Sequence, residues 1–190
     1  MSNIRTFIAV NASQRVTNNV ARIVGRLAAT DAKYRWVTQE NLHVTLNFVG
    51  DVVDVEVPEL CQLVKRTVEG FESFDMSLQG VSGFPNPQQP RVLWIGVDEG
   101  KQNLTSIYDA LAEVLHHWGV NKDRNAFVPH MTLGRLSRGG RWNEGLIDLV
   151  HKLRHHDGGF CHVKEVIVYS SFLDRSGPTY TPMARIKLQG

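Results

Sequence analysis

His43-Val44-Thr45-Leu46 returns later in the chain as His130-Met131-Thr132-Leu133. On a strand, side chains alternate faces with period two. His43 and Thr45 therefore share one face, with Val44 and Leu46 on the other. His130 and Thr132 share a face in the same way, opposite Met131 and Leu133. Two such strands can bring two imidazoles and two hydroxyls to one cleft. That set suits general acid–base chemistry on an anionic group such as a phosphate.

A single four-residue match is weak evidence. The spacing strengthens it. The two motifs stand 87 positions apart (43 to 130), and the same offset carries other features with it. Phe7-Ile8-Ala9-Val10 falls on Trp94-Ile95-Gly96-Val97, two apolar strand-like runs. The helix-like stretch 14–29 falls on 101–116, and Val81 falls on Val168. The chain thus reads as two copies of one design, roughly 1–86 and 88–173, plus a C-terminal extension. Two copies make a pseudo-symmetric pair, not a solenoid. We expect a single bilobal domain over 1–190.

Around the motifs, periodicity predicts the elements. Strands are expected over 6–10, 35–37, 43–49, 74–84, 91–98, 128–136 and 163–172, with a last one near 183–188. Helices are expected over 14–29, from Pro58 through Val68, over 103–118 and over 144–155, where apolar residues recur at helical spacing. Pro85-Asn86-Pro87-Gln88-Gln89-Pro90 is a loop, because three prolines remove backbone donors. Gly158-Gly159 is expected to end the last helix, and Ser176-Gly177-Pro178 to turn into the last strand. Strands interleave with helices, and the tight turns favour antiparallel pairing. The class is α+β.

Composition is that of an ordinary globular protein: 190 residues, 42% hydrophobic and 21% charged, with a net charge of +2. That charge permits a nucleic-acid partner without demanding one. Cys61 and Cys161 are too isolated for a zinc site or a disulfide framework. The N-terminus runs straight into a strand-like segment, with no signal-like stretch. No run approaches the ~20 apolar residues that span a bilayer. We expect a cytoplasmic protein with no membrane association.

These residues resemble the 2H phosphoesterase superfamily, named for its two His-x-Thr/Ser motifs. Within it they are similar to the RNA 2′,3′-cyclic phosphodiesterases, formerly described as 2′-5′ RNA ligases. The resemblance covers nearly the whole chain. It is carried by Thr6 to Val10, by His43 to Gly50, by Arg91 to Val97, by Pro129 to Arg135, and by Val168 to Leu173 with Gly177 to Tyr180. It implies two pseudo-symmetric lobes around a central cleft, each an antiparallel sheet with two helices, in the RNA ligase-like fold. It implies no metal and no cofactor. The implied reaction is hydrolysis of a 2′,3′-cyclic phosphate at an RNA end to leave a 2′-phosphomonoester.

The resemblance assigns His130 as the base that activates water and His43 as the acid that protonates the departing 3′ oxygen. Two imidazoles can share this work near neutral pH, since unperturbed histidine titrates at about 6.5. Thr45 and Thr132 are expected to donate to non-bridging phosphate oxygens, where negative charge grows. Arg135 follows His130 by five positions; as a fixed cation it could bind phosphate bidentately. Its odd offset puts it nominally on the opposite face, so the strand must end or bulge before it. Further candidates for RNA contact are Phe48 and Tyr180, by stacking, and Arg138 and Arg141, by phosphate contacts. Trp36 and Trp94 could also stack.

The remaining histidines point elsewhere. His116 and His117 suit the dipole at a helix end. His151, His155, His156, Cys161 and His162 form a cluster in sequence, but without a second paired motif they read as a solvated face rather than a metal site. There is no Gly-x-Ser-x-Gly elbow of a serine hydrolase. The intact histidine pair argues against a pure RNA-end binder. Two enzyme alternatives keep the same chemistry. One is a cyclic phosphodiesterase on small nucleotides such as ADP-ribose 1″,2″-cyclic phosphate or a 2′-5′ oligoadenylate. The other is a reversible 2′-5′ RNA ligase. The expected partners are RNA ends or nucleotides carrying a cyclic phosphate, and the expected state is a monomer.

Overall fold

The chain alternates strands and helices in the order β1 (Asn3–Val10), α1 (Gln14–Ala28), β2 (Tyr34–Trp36), β3 (Val44–Val53), α2 (Val57–Val68), β4 (Phe74–Phe84), β5 (Val92–Val97), α3 (Lys101–His117), β6 (His130–Leu136), α4 (Glu144–Lys152), β7 (Asp157–Val163), β8 (Glu165–Asp174) and β9 (Gly177–Lys187). A computed structural model describes residues 2–121, 125–175 and 177–190. Among them, nine strands form one sheet in the order β7-β4-β5-β6-β3-β1-β8-β9, with β2 beside β6. Every ladder is antiparallel. The α+β class holds.

The sheet is nearly symmetric about its middle. β3 and β6 meet at one register pair, Val44 with Met131. These are the same position of the two sequence copies, so the pseudo-twofold axis passes between them. From there β1 flanks β3 as β5 flanks β6, and β8 flanks β1 as β4 flanks β5. The lobes do not coincide with the sequence halves. β4 belongs to the first copy yet pairs with β5 of the second, and β8 of the second pairs with β1 of the first. The helices cross over as well: α3 packs on β3 and α2, while α1 packs on β6, β7 and α4. Each lobe therefore holds four strands of this path and two helices, drawn from both copies.

The helices cover one face of the sheet. In α1, Ser13 caps the N-terminus by accepting from the Val16 N–H, and Val16, Val20, Ile23, Val24 and Leu27 are buried at helical spacing. Asn143 caps α4 by accepting from the Leu146 N–H at 2.8 Å. One continuous core fills the space beneath, including Leu60, Leu78, Ile95, Leu104, Leu111, Met131 and Leu133. On the opposite face lies a second, smaller cluster of Phe7, Ala9, Ile167 and Tyr169, with Tyr180 against it. No helix is long and apolar enough to cross a membrane among the described residues.

Two expectations need correction. α4 stops at Lys152, not at 155, and 157–163 is a strand. The glycines that read as a helix stop serve β7. A Cβ on Gly158 would lie 2.9 Å from Leu78 Cβ and 3.2 Å from its carbonyl oxygen, so glycine lets β7 lie this close to β4. The last strand is also longer than expected, Gly177–Lys187, because it pairs along the whole of β8. Of the predicted turn at 176–178, Ser176 lies outside the described residues.

Candidate active site

The Val44–Met131 pair decides the arrangement of the site. In antiparallel register, the position before Val44 lies opposite the position after Met131. His43 thus faces Thr132, and Thr45 faces His130. Val44 and Met131 are fully buried on the core face, which turns all four polar residues to the other side. The sheet alone brings both motifs to one cleft.

Each imidazole is held by the same local device. His43 Nδ1–H donates to the Asn41 carbonyl at 2.7 Å, and His130 Nδ1–H donates to the Val128 carbonyl at 2.6 Å. A carbonyl only accepts, so Nδ1 carries the proton of the neutral ring and Nε2 is left for the cleft. His43 Nε2 lies 2.9 Å from Thr45 Oγ1. Aromatic rings surround both histidines. Phe7 lies 5.0 Å from His43 between ring centroids and Tyr180 meets it edge-on at 5.3 Å. On the other side, Phe84 and Trp94 lie 5.2 and 5.8 Å from His130.

Arg135 reaches this face through a bulge. Trp94 pairs with Thr132 and Leu93 with Gly134, so Leu133 is the extra residue on β6. The alternation slips by one, and Arg135, paired with Val92, joins the face of Thr132. Of the two ways the odd offset allowed, a strand end or a bulge, the structure has the bulge. β3 carries its counterpart at the same repeat position: Ala9 pairs with Thr45 and Ile8 with Asn47, leaving Leu46 extra. Phe48, paired with Phe7, thereby turns to the cleft, 62% exposed.

The electrostatics follow from this packing. Burial pushes the His43 pKa down, against the upward effect of its bond to Asn41; the Arg135 and His130 charges lower it further. His130 is likewise lowered, first by burial and then by Arg135, against the effect of Val128. Burial raises the Tyr180 pKa, while Arg135 and Arg5 pull it down. Arg135 thus acts on both imidazoles and on the Tyr180 hydroxyl.

Other sequence candidates scatter. Arg138 and Arg141 are exposed in the loop after β6, which is tied back to Lys33 by backbone bonds from Ser137 and to Arg141. Trp36 stacks on Tyr34 at 5.2 Å rather than on either histidine. His162 donates to Asp75 at 2.6 Å, His151 sits beside Arg154, and Cys161 is buried. Among the described residues, no group of three or more His, Cys, Asp or Glu could hold a metal ion. Sequence reasoning missed Phe7, Phe84, Tyr169 and Arg5 as cleft residues. Alternation offered a signal for Phe7, which shares a face with Ala9 and not with the core residue Ile8.

Comparison with known proteins gives a consistent result. The LigT like Phosphoesterase family matches residues 10–94. The RNA 2′,3′-cyclic phosphodiesterase of Methanothermobacter thermautotrophicus is 35% identical, over 97% of this chain and 99% of its own length. That of Thermotoga maritima is 30% identical, over 98% and 97%. Among solved structures, Escherichia coli LigT complexed with 3′-AMP superposes with a TM-score of 0.79 at 23% identity, covering 99% of each chain. TT0787 of Thermus thermophilus gives 0.82 at 23%, covering 98% of each. Both have the same fold.

Proposed function

This chain belongs to the RNA 2′,3′-cyclic phosphodiesterase family of LigT-like phosphoesterases, and from that we propose that it opens the 2′,3′-cyclic phosphate at an RNA end by metal-independent acid–base catalysis between His43 and His130. The observation that carries this reading is the identical tethering of two imidazoles on strands that meet at the Val44–Met131 pair.

The chemistry follows from the groups present. His130 Nε2 takes a proton from water as the water oxygen bonds to phosphorus. The P–O3′ bond breaks on the far side, and His43 Nε2–H gives its proton to O3′. The product keeps phosphate on O2′. Thr45, Thr132 and Arg135 donate to the non-bridging oxygens, whose charge rises in the transition state. For this, Thr45 Oγ1 exchanges its contact with His43 Nε2 for one with phosphate. The anionic substrate also favours protonation of His43, against the burial that lowers its pKa in the free protein.

The test is hydrolysis of a short RNA ending in a 2′,3′-cyclic phosphate, with and without EDTA. The expected result is a 2′-phosphate product at a rate unchanged by EDTA. A 3′-phosphate product overturns the assignment of O3′ as leaving group. Loss of activity in EDTA overturns metal independence.

A further inference from the structure

The two walls of the cleft are built from the same repeat, yet they differ in charge and in aromatic content. On the His43 wall, Arg5, Phe7 and Ala9 share the cleft face of β1. Arg5 pairs with Ser171 of β8, and Ser171 with Tyr180 of β9, so the three make one row across the strands. The equivalent of Arg5 in the second copy is Val92, and that of Tyr169 is Ser82. At these two repeat positions the cation and the tyrosine occur on the His43 wall alone, while Arg135 stands on the other.

Direction follows from stereochemistry. Displacement at phosphorus is in line, with water entering opposite the leaving oxygen. If His130 handles the water, the substrate ribose, which carries O3′, lies on the His43 side. Its neighbours there are Phe7, Phe48 and Tyr180. The chain then continues from the 5′ oxygen of that ribose into a phosphodiester, whose negative charge needs a cation. Arg5 stands two positions beyond Phe7 on the same face, about 7 Å along the strand. Its side chain is exposed, and although Asp51 is its partner on β3, no ion pair joins these two described residues. Its charge is felt at the Tyr180 hydroxyl, as is that of Arg135 from across the cleft.

We infer that Arg5 binds the phosphodiester linking the terminal nucleotide to its 5′ neighbour, so that an RNA chain leaves the cleft across the wall that carries His43. This rests on the roles proposed above for His43 and His130. Arg5 is then a specificity-determining residue that separates RNA ends from free cyclic mononucleotides.

The experiment compares cytidine 2′,3′-cyclic monophosphate with a trinucleotide ending in the same cyclic cytidine. Wild type, Arg5→Gln and Arg5→Lys are assayed on both, with melting temperatures as a check of folding. Arg5→Gln is expected to lower kcat/KM on the trinucleotide about tenfold, through KM, the size of one exposed charge-assisted contact. The mononucleotide, which lacks that phosphodiester, is expected to change less than about twofold, and Arg5→Lys to recover much of the loss. Equal losses on both substrates, or none on the trinucleotide, overturn the inference. So does a trinucleotide-specific loss in Arg138→Gln with none in Arg5→Gln, which sends the chain over the other wall. Failure of the wild type on both substrates overturns instead the functional reading beneath it.

Discussion

His43 and His130 are alike in their tethers and differ in their surroundings. Both give Nδ1–H to a carbonyl two residues back, yet His43 alone has a threonine hydroxyl at its Nε2. Replacing either by alanine removes a group to which the proposed mechanism gives a proton transfer, and is expected to cost about 10²–10⁴ in kcat. Steady-state rates on a cyclic-ended RNA check this; a near-wild-type rate in either variant rejects its role. The pH dependence follows from the directions of the shifts. In the proposed mechanism, activity requires His130 neutral and His43 protonated. Both pKa values are lowered in the free protein, so the bell-shaped profile of kcat/KM should peak below about pH 6.5. The bound phosphate anion raises both, and the kcat maximum should lie at higher pH. A kcat/KM maximum above about pH 7.5 contradicts the burial-driven shift.

At the scale of elements, the paired bulges at Leu46 and Leu133 do the positioning. Without the second, strict alternation turns Arg135 to the core face, where a guanidinium has no place. The bulged segment is packed tightly. A Cβ on Gly134 would lie 2.7 Å from Trp36 Cε3 and 3.0 Å from Cζ3, atoms of a rigid ring. Gly134→Ala is expected to force β2 away and cost about 1–3 kcal/mol. That predicts a fall of several degrees in Tm. Gly145→Ala in α4 is the contrast: its nearest neighbour is at 3.6 Å, and it should be neutral or slightly stabilising. Thermal unfolding of the two variants side by side decides the matter, and equal Tm values remove the steric argument.

The whole molecule is interlaced. Each lobe borrows a strand and a helix from the other sequence copy, so neither copy can bury its own apolar face alone. Fragments 1–87 and 88–190 are expected to be unfolded separately and to regain structure only when mixed. Circular dichroism of each fragment and of the mixture tests this, and a cooperatively folded single fragment refutes it. The interlacing also explains what was legible beforehand. The motif strands, α1, α3 and the α+β class were readable, because alternation and helical periodicity are local records of which face is buried. β7 was not, because Gly158-Gly159 carries no strand signal and its pairing with β4 is set across a long sequence separation.

The sequence by itself determined that two imidazoles and two hydroxyls would each lie paired on a strand face, and that Arg135 needed a bulge or a strand end to reach them. Those are consequences of a period of two, which any strand imposes. Only the tertiary structure decided that the two motif strands meet at Val44 and Met131, that Phe7 and Tyr180 close around His43, and that Arg5 lines the same wall. Such placements depend on which distant strands pair. That choice is made by burying apolar surface common to both halves, and no local stretch of residues encodes it.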